Sequence, residues 1–380
     1  MRPPGNGIVT LSQGRTANRH VQVKSGAARA DAISLQGNWS PVNSDSTVSE
    51  RLPGSIILSQ TDRIGDAIAT LPMAGLIKHH APGTRVIALG RRYTEAIWRA
   101  CPHIDDLILL EELRTPGAAV ERLKGANAEA IVHVWPDREV AHWARQADIP
   151  TRVGSSRRLH HWTTCNVRPW VRRKVSGLHT VVLNARLLEP FGVRAPRDAV
   201  ALAAYGRLDA PPLGAGVGAL LRAGRRNVVV HPFTAGGGPA WGLQNYAALI
   251  AALDPDRYHC IVTGTAEEAR RYRAVLPLAR PHVTDAGGML ELAQLMQLIG
   301  AADALVAAST GPLHLAAALG RRAIGLYTMR DHAAPARWRP LGADAHALVF
   351  DPNCRTCAVK SDCDCIERII PARVIELLER

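Results

Sequence analysis

Short apolar runs and longer amphipathic stretches follow one another along this chain in a regular order. Ser55-Ile56-Ile57-Leu58-Ser59 is apolar on both faces, as a strand inside a parallel sheet is. A polar loop, Gln60-Thr61-Asp62-Arg63-Ile64-Gly65-Asp66, comes next, and a helix is predicted over 67 to about 80. Pro82-Gly83 turns the chain into a strand at 85–89. A helix (about 94–100), a strand (near 107–110), a helix (about 118–125) and a strand (130–134) follow. This alternation calls for a doubly wound parallel sheet. A second run of the same kind begins at Asn227, with strands at 228–230, 260–262, 304–306 and 323–327 and helices over 245–253, 266–276 and 290–299. Residues 179–191 read as a helix and 196–218, rich in Pro, Gly and Ala, as a linker. The expected fold class is α/β. Residues 1–50 are expected to form a disordered basic tail, 51–210 an N-terminal domain and 211–380 a C-terminal domain, with a cleft between the carboxyl ends of two sheets, where ligands bind in such folds.

The stretch AASTGPLHLAAALG, residues 307–320, is the strand–turn–helix to which the second half leads. Ser309 and Thr310 stand where an N-cap belongs, Pro312 suits a first turn, and Gly320 is placed to end the helix. Unpaired N–H groups and a positive dipole end at such a mouth favour a phosphate, although every α/β domain has ordinary connections of this kind. His314, one turn inside, favours the phosphate reading, since an anion at the mouth is within its reach.

Charge sharpens the picture. The formal net charge of +13 implies an anionic partner: nucleic acid, an acidic membrane face or a phosphorylated substrate. No RNP-like aromatic strand, zinc-finger spacing or basic recognition helix supports nucleic acid, so no nucleic-acid partner is expected. No acid occurs between Asp148 and Glu189, whereas Arg152, Arg157, Arg158, Arg168, Arg172, Arg173, Lys174 and Arg186 fall there, interleaved with His160, His161, Trp162 and Trp170. That segment is either a solvated basic face or an anion site. No apolar run reaches the roughly 18 residues that span a bilayer, and Arg2 is followed by no apolar signal core, so the expected compartment is the cytoplasm.

Four positions carry candidate chemistry. Asp66, just after the first strand, is either a general base in the cleft or a helix N-cap, and Gly65 beside it lets a ligand approach the backbone. The loop lacks the G-x-G-x-x-G spacing of dinucleotide binding. Glu267 is either an acceptor for ribose hydroxyls or a first-turn complement to a helix dipole. Gly236-Gly237-Gly238 either wraps a phosphate or is merely flexible. Cys354-x2-Cys357-x5-Cys363-x-Cys365 has one knuckle of a thiolate metal site, but its second pair is unusually close, so free thiols or local disulfides are the alternative.

RIGDAIATLPMAGLIKHHAPGTRVIALG resembles the opening of the ADP-heptose:lipopolysaccharide heptosyltransferases, glycosyltransferase family nine. DAGGMLELAQLMQLIGAADALVAASTGPLHLAAALGRRAIGLY resembles that family's donor-binding region, and ARWRPLG and CIERIIPARVIELL its C-terminal end, so that the likeness spans about 55–378. The resemblance implies two Rossmann-like domains facing across a cleft, the GT-B fold, with the acceptor on the first and the nucleotide sugar on the second. It implies inverting, metal-independent transfer of a heptose from ADP-heptose, with Asp66 as base, to an anionic glycolipid of the lipopolysaccharide inner core at the inner face of the cytoplasmic membrane. Thr310, Gly311, His314, Ser309, Glu267, Trp241 and Thr234 would hold the donor, and Arg63, Arg157 and Arg158 the acceptor. A protein (autotransporter) heptosyltransferase with iron or zinc on Cys354, Cys357, Cys363 and Cys365 is the alternative enzyme, and a sugar-nucleotide-binding protein without catalysis the alternative outside enzymes. Two departures prompt the latter: Ser309 stands where the family has Asp, and Pro239 where a K-x-W element has Lys.

Overall fold

A computed structural model describes residues 51–113, 115–171, 177–234, 238–330, 333–359 and 363–380. The expected tail (1–50), Arg172, Arg173 and Lys174 of the basic segment, and Gly236 and Gly237 lie outside the described residues. Among the described residues, eleven parallel strands form two sheets: β1 (Ser55–Ser59), β2 (Arg85–Gly90), β3 (Asp106–Leu109), β4 (Ala130–His133) and β5 (Thr151–Val153), then β6 (Arg226–His231), β7 (Tyr258–Val262), β8 (Val283–Asp285), β9 (Ala304–Ala308), β10 (Arg322–Tyr327) and β11 (Ala345–Val349). The first sheet has the order β3-β2-β1-β4-β5 and the second β11-β10-β9-β6-β7-β8. Strand order reverses between β1 and β4 in one and between β6 and β9 in the other, and ligand crevices open at the carboxyl ends of such pairs. The central strands are buried throughout, which is why their sequences lack polar alternation.

Strands β5, β8 and β11 were not expected. Each is short or only partly buried, so its apolar signal is weak. The helix predicted over 67–80 is two helices, α1 (Ile64–Ile68) and α2 (Leu71–His80). Pro72 has no N–H for the Ile68 carbonyl, and its ring would meet that carbonyl, so the chain cannot continue one helix through it. Thr70 Oγ1 donates to the Asp66 carbonyl (2.8 Å) and Asn184 Nδ2 to the Ala69 carbonyl (3.0 Å), which satisfies groups that the break exposes. Residues 196–218 are no free linker, since they hold two short helices, Ala199–Ala203 and Ala215–Gly218, and bury Leu202, Leu208 and Val217. The predicted helix at 179–191 is α-helical only over Thr180–Ala185 and tightens to a 3₁₀ turn through Pro190.

Gly75 of α2 lies against the chain at 203–206: a Cβ there would fall 1.9 Å from the Tyr205 carbonyl oxygen. The obstacle is backbone and cannot swing aside. Gly75→Ala is expected to lower unfolding free energy by about 1–3 kcal/mol in urea titration, and an unchanged midpoint would contradict this packing.

Candidate active site

Two helix mouths meet in a cavity of about 1240 Å³ between the carboxyl edges of the two sheets. From the first sheet come Arg63 to Asp66 after β1, His133 to Pro136 at the end of β4, and Ser155, Arg157 and Arg158 after β5. From the second come His231, Thr263 to Thr265, Glu268, Ser309 to Pro312 and His314. Arg337 and Trp338 of the short Pro335–Trp338 helix complete the wall.

The mouths touch through glycines. A Cβ on Gly65 would lie 3.2 Å from His314 Cδ2, and one on Gly311 would lie 2.7 Å from Ile64 Cβ. A side chain at Gly311 would force α1 away from the Gly311–Ala318 helix, whereas one at Gly65 would press on the His314 ring. Asp66 stands on the third residue of α1, whose N-cap is Arg63, so the N-cap role considered for it is excluded. The first-turn position suits a carboxylate facing a positive helix end. Opposite it, Thr310 is the N-cap of the Gly311–Ala318 helix, but its hydroxyl makes no capping bond, and Pro312 is at the second position. The helix mouth therefore offers its first-turn N–H to the cavity. Gly320, with φ of 71°, ends the helix as expected.

Burial, with a smaller contribution from His179, pushes the His314 pKa down to about 3, so its imidazole is neutral at physiological pH. Its ring meets Trp338 edge-on at 5.8 Å. Ser309 lies beside the Tyr327 phenol, which donates to the Trp338 carbonyl (2.5 Å), and this ties the end of β10 to the Pro335–Trp338 helix. His179 Nε2 bonds the Arg339 carbonyl (3.0 Å) and Thr180 Oγ1 donates to the Arg337 carbonyl (3.2 Å), which joins this wall to the Thr180–Ala185 helix. Arg91 Nε and Tyr93 Oη hold the loop before Asp66 by bonds of 2.6 Å each to the carbonyls of Thr61 and Asp62. Burial pushes the Asp62 carboxyl above the usual carboxylate range, against the pull of Arg63 and Arg91.

Other expected residues are placed differently. Glu267 is exposed and outside the cavity wall, and Glu268 is the glutamate turned inward. The reason is the capping box at Thr265: Glu268 Oε2 accepts from the Thr265 N–H (2.8 Å) and Thr265 Oγ1 from the Glu268 N–H (3.2 Å), which draws the next side chain toward the cleft. Trp241 is fully buried, and its Nε1 donates to the Ile369 carbonyl (2.7 Å), so it anchors the C-terminal segment and does not face a donor. Thr234 is not on the wall either; its hydroxyl donates to the Gly238 carbonyl (2.9 Å) and closes the base of the glycine-rich loop. Gly238 itself stands over Ser309, where a Cβ would lie 3.8 Å from the serine Cβ. Within the basic segment, Arg152 is taken up by the Ile149 and Thr164 carbonyls and Arg168 by the Cys165 carbonyl. Arg157 and Arg158 face the cavity.

The residues missed are His133 and His231, the last residues of β4 and β6. An apolar strand that ends in histidine at a switch point is the signal that would have found them. Burial holds His231 near a pKa of about 4 and His133 near about 3. His231 Nδ1 bonds Thr263 Oγ1 (3.0 Å), and neither ring nitrogen of His133 has a protein partner.

Away from the cleft, the four tail cysteines converge. Their Sγ atoms all lie within 4.8 Å of one another, with separations of 3.2, 3.2, 3.3 and 3.6 Å between neighbours. Thiolates around a zinc at about 2.3 Å stand about 3.8 Å apart, so the donor set and spacing fit a four-coordinate thiolate centre. The unusual C-x-C spacing is no obstacle, because the fold brings Cys354 beside Cys365.

The family model of glycosyltransferase family 9 (heptosyltransferase) matches residues 122–365. The chain belongs to that family. It is 24% identical over 294 residues to lipopolysaccharide heptosyltransferase 3 of Escherichia coli, a match covering 73% of this chain and 83% of that one. Among solved structures it is similar to a family 9 glycosyltransferase from Veillonella parvula, with a TM-score of 0.69, 16% identity and coverage of 87% and 100%. It is also similar to ADP-heptose lipopolysaccharide heptosyltransferase II of E. coli, with a TM-score of 0.68, 18% identity and coverage of 86% and 97%. These likenesses, with two parallel sheets across a cleft, make the fold GT-B.

In this family 9 chain the Trp241 position has a clear test. Trp241→Phe removes the bond to Ile369 and leaves a buried carbonyl unpaired, so stability is expected to fall by about 1–3 kcal/mol with ADP affinity unchanged. A tenfold loss of ADP affinity in calorimetry would return Trp241 to the donor site.

Proposed function

We propose that this glycosyltransferase moves a heptose, with inversion, from ADP-heptose to a hydroxyl of an anionic glycolipid such as the lipopolysaccharide inner core. The observation that carries the reading is one cavity holding both Asp66 and the uncapped mouth of the Gly311–Ala318 helix, brought together by Gly65 and Gly311. A base and a diphosphate site must face each other across the anomeric carbon, and this arrangement supplies both. The heptosyltransferase names of the relatives support the sugar class.

In the reaction, Asp66 takes the proton of the acceptor hydroxyl as its oxygen attacks the anomeric carbon. The bond from that carbon to the β-phosphate oxygen breaks, and its electron pair leaves with ADP. The N–H groups at Thr310 and Gly311 bind the charge that builds there, as preorganised donors. His314, being neutral, adds a hydrogen bond and no charge. Charge compensation for the lysine replaced by Pro239 falls to arginines on the cavity wall, Arg337 from the second half and Arg63 from the first. Glu268, in place of Glu267, takes the ribose, and Arg157 and Arg158 hold the anionic acceptor. Among the described residues no helix is long and apolar enough to cross a membrane, and the proposed place of work is the cytoplasmic face of the inner membrane.

Cys354, Cys357, Cys363 and Cys365 would hold zinc or iron as a structural clasp that would cross-link the tail, away from the cleft. Cys357 Sγ also meets Thr328 Oγ1 at 3.0 Å, one residue beyond Tyr327, so the clasp fixes the end of β10. Elemental analysis of freshly purified protein is expected to give about one equivalent of metal per chain, and chelation to lower the Tm. Metal-free protein of unchanged Tm would reduce the cluster to free thiols.

The decisive variant for the chemistry is Asp66→Asn. It keeps the size and leaves the α1 backbone undisturbed but removes the proton acceptor, so kcat is expected to fall by about 10²–10⁴-fold with ADP-heptose affinity nearly unchanged. Turnover close to that of the wild type would mean that the base lies elsewhere.

A further inference from the structure

We infer that the knuckle at residues 155–171 docks on the surface of an anionic lipid bilayer and so brings the cleft to a membrane-anchored acceptor. Three large apolar side chains stand out from it: Leu159 is 89% exposed, Trp162 56% and Trp170 56%. They belong to one folded unit. The Ser156 N–H donates to the Pro169 carbonyl (3.2 Å), and Trp162 Nε1 donates to the Ser156 carbonyl (2.9 Å). Arginines are layered on the rings, with Arg157 5.4 Å from the Trp170 centroid and Arg168 5.0 Å from that of Trp162. Among the described residues no ion pair joins Arg157, Arg158 or Arg168 to a carboxylate, although Arg168 also donates to the Cys165 carbonyl, and the sequence has no acid from 149 to 188.

This combination has a specific chemical fit. Tryptophan rings settle at the headgroup level of a bilayer, an exposed leucine enters the acyl boundary, and arginines not neutralised by carboxylates meet lipid phosphates. A merely solvated basic face would need no projecting Leu159. The place in the fold agrees: Ser155, Arg157 and Arg158 of the same knuckle line the cleft, so a bilayer seated there lies at the cleft mouth. The choice of a membrane over another anionic surface rests on the proposed glycolipid acceptor, whereas the surface itself stands on the geometry above.

The test is co-sedimentation with vesicles, without donor or turnover. The wild-type chain is expected to bind vesicles of phosphatidylglycerol mixed with phosphatidylcholine at low salt and not vesicles of phosphatidylcholine alone, with a blue shift of tryptophan emission on binding. Leu159→Glu, at a side chain with almost no protein contact, is expected to lower partitioning by about tenfold or more by replacing an apolar anchor with a like charge of the lipid. Trp162→Ala with Trp170→Ala gives a second, independent variant expected to lose the spectral shift as well. Binding that ignores lipid charge, or survives both variants, overturns the inference. So does concentration-dependent self-association abolished by Leu159→Glu, which would make the surface a contact with a second copy. A thermal-shift response to ADP separates this failure from a failure of the donor reading, since ADP binding does not involve the knuckle.

Discussion

Contact between two glycine-bearing helix starts is the constraint on which the cleft depends. Gly65 faces His314, and Gly311 faces Ile64, with no room for a Cβ on Gly311. Because each glycine sits at the carboxyl edge of its own sheet, just past β1 and β9, their approach aligns the two switch points around a common space. Everything proposed for catalysis follows from that approach: the carboxylate arrives from one half and the phosphate-binding mouth from the other.

The wall around this contact is braced in a way that favours a neutral, preorganised site. Ser309, Tyr327, Trp338 and His314 form a connected set, and carbonyls of Arg337 and Arg339 are held from the opposite half by Thr180 and His179. His179, His231 and His314 are all kept uncharged by burial. Cations at the cavity are therefore guanidinium groups, whose charge does not depend on pH in the working range. The proposed anionic donor and acceptor would both find fixed positive charge, and neither would have to wait for a histidine to protonate.

Much of this was legible in the sequence, for reasons that can be named. The buried strands at 55–59, 130–134 and 304–306 announce themselves because a parallel sheet covered on both faces tolerates only apolar side chains. The turn at 309–312 was readable from its small residues and its proline. What failed depended on side-chain direction. Glu267 and Glu268 are adjacent, and only the capping box at Thr265 decides which one turns inward. Trp241 has the composition of a ligand platform but is claimed by a carbonyl 128 residues away, which no local pattern reveals. Asp66 looked able to cap a helix because the start of α1 was set three residues too late, at Ala67 instead of Ile64. The histidines that end β4 and β6 were passed over because one residue at a strand end carries no period.

The central claim is that a single cavity seats the donor diphosphate at the Gly311–Ala318 helix and its sugar beside Asp66. A crystal structure with bound ADP-heptose tests it directly. The account predicts diphosphate oxygens within hydrogen-bond distance of the Gly311 N–H, adenosine toward Glu268 and His231, and the anomeric carbon facing the Asp66 carboxylate. A nucleotide bound elsewhere, or a sugar turned away from Asp66 with the diphosphate remote from Gly311, would contradict it.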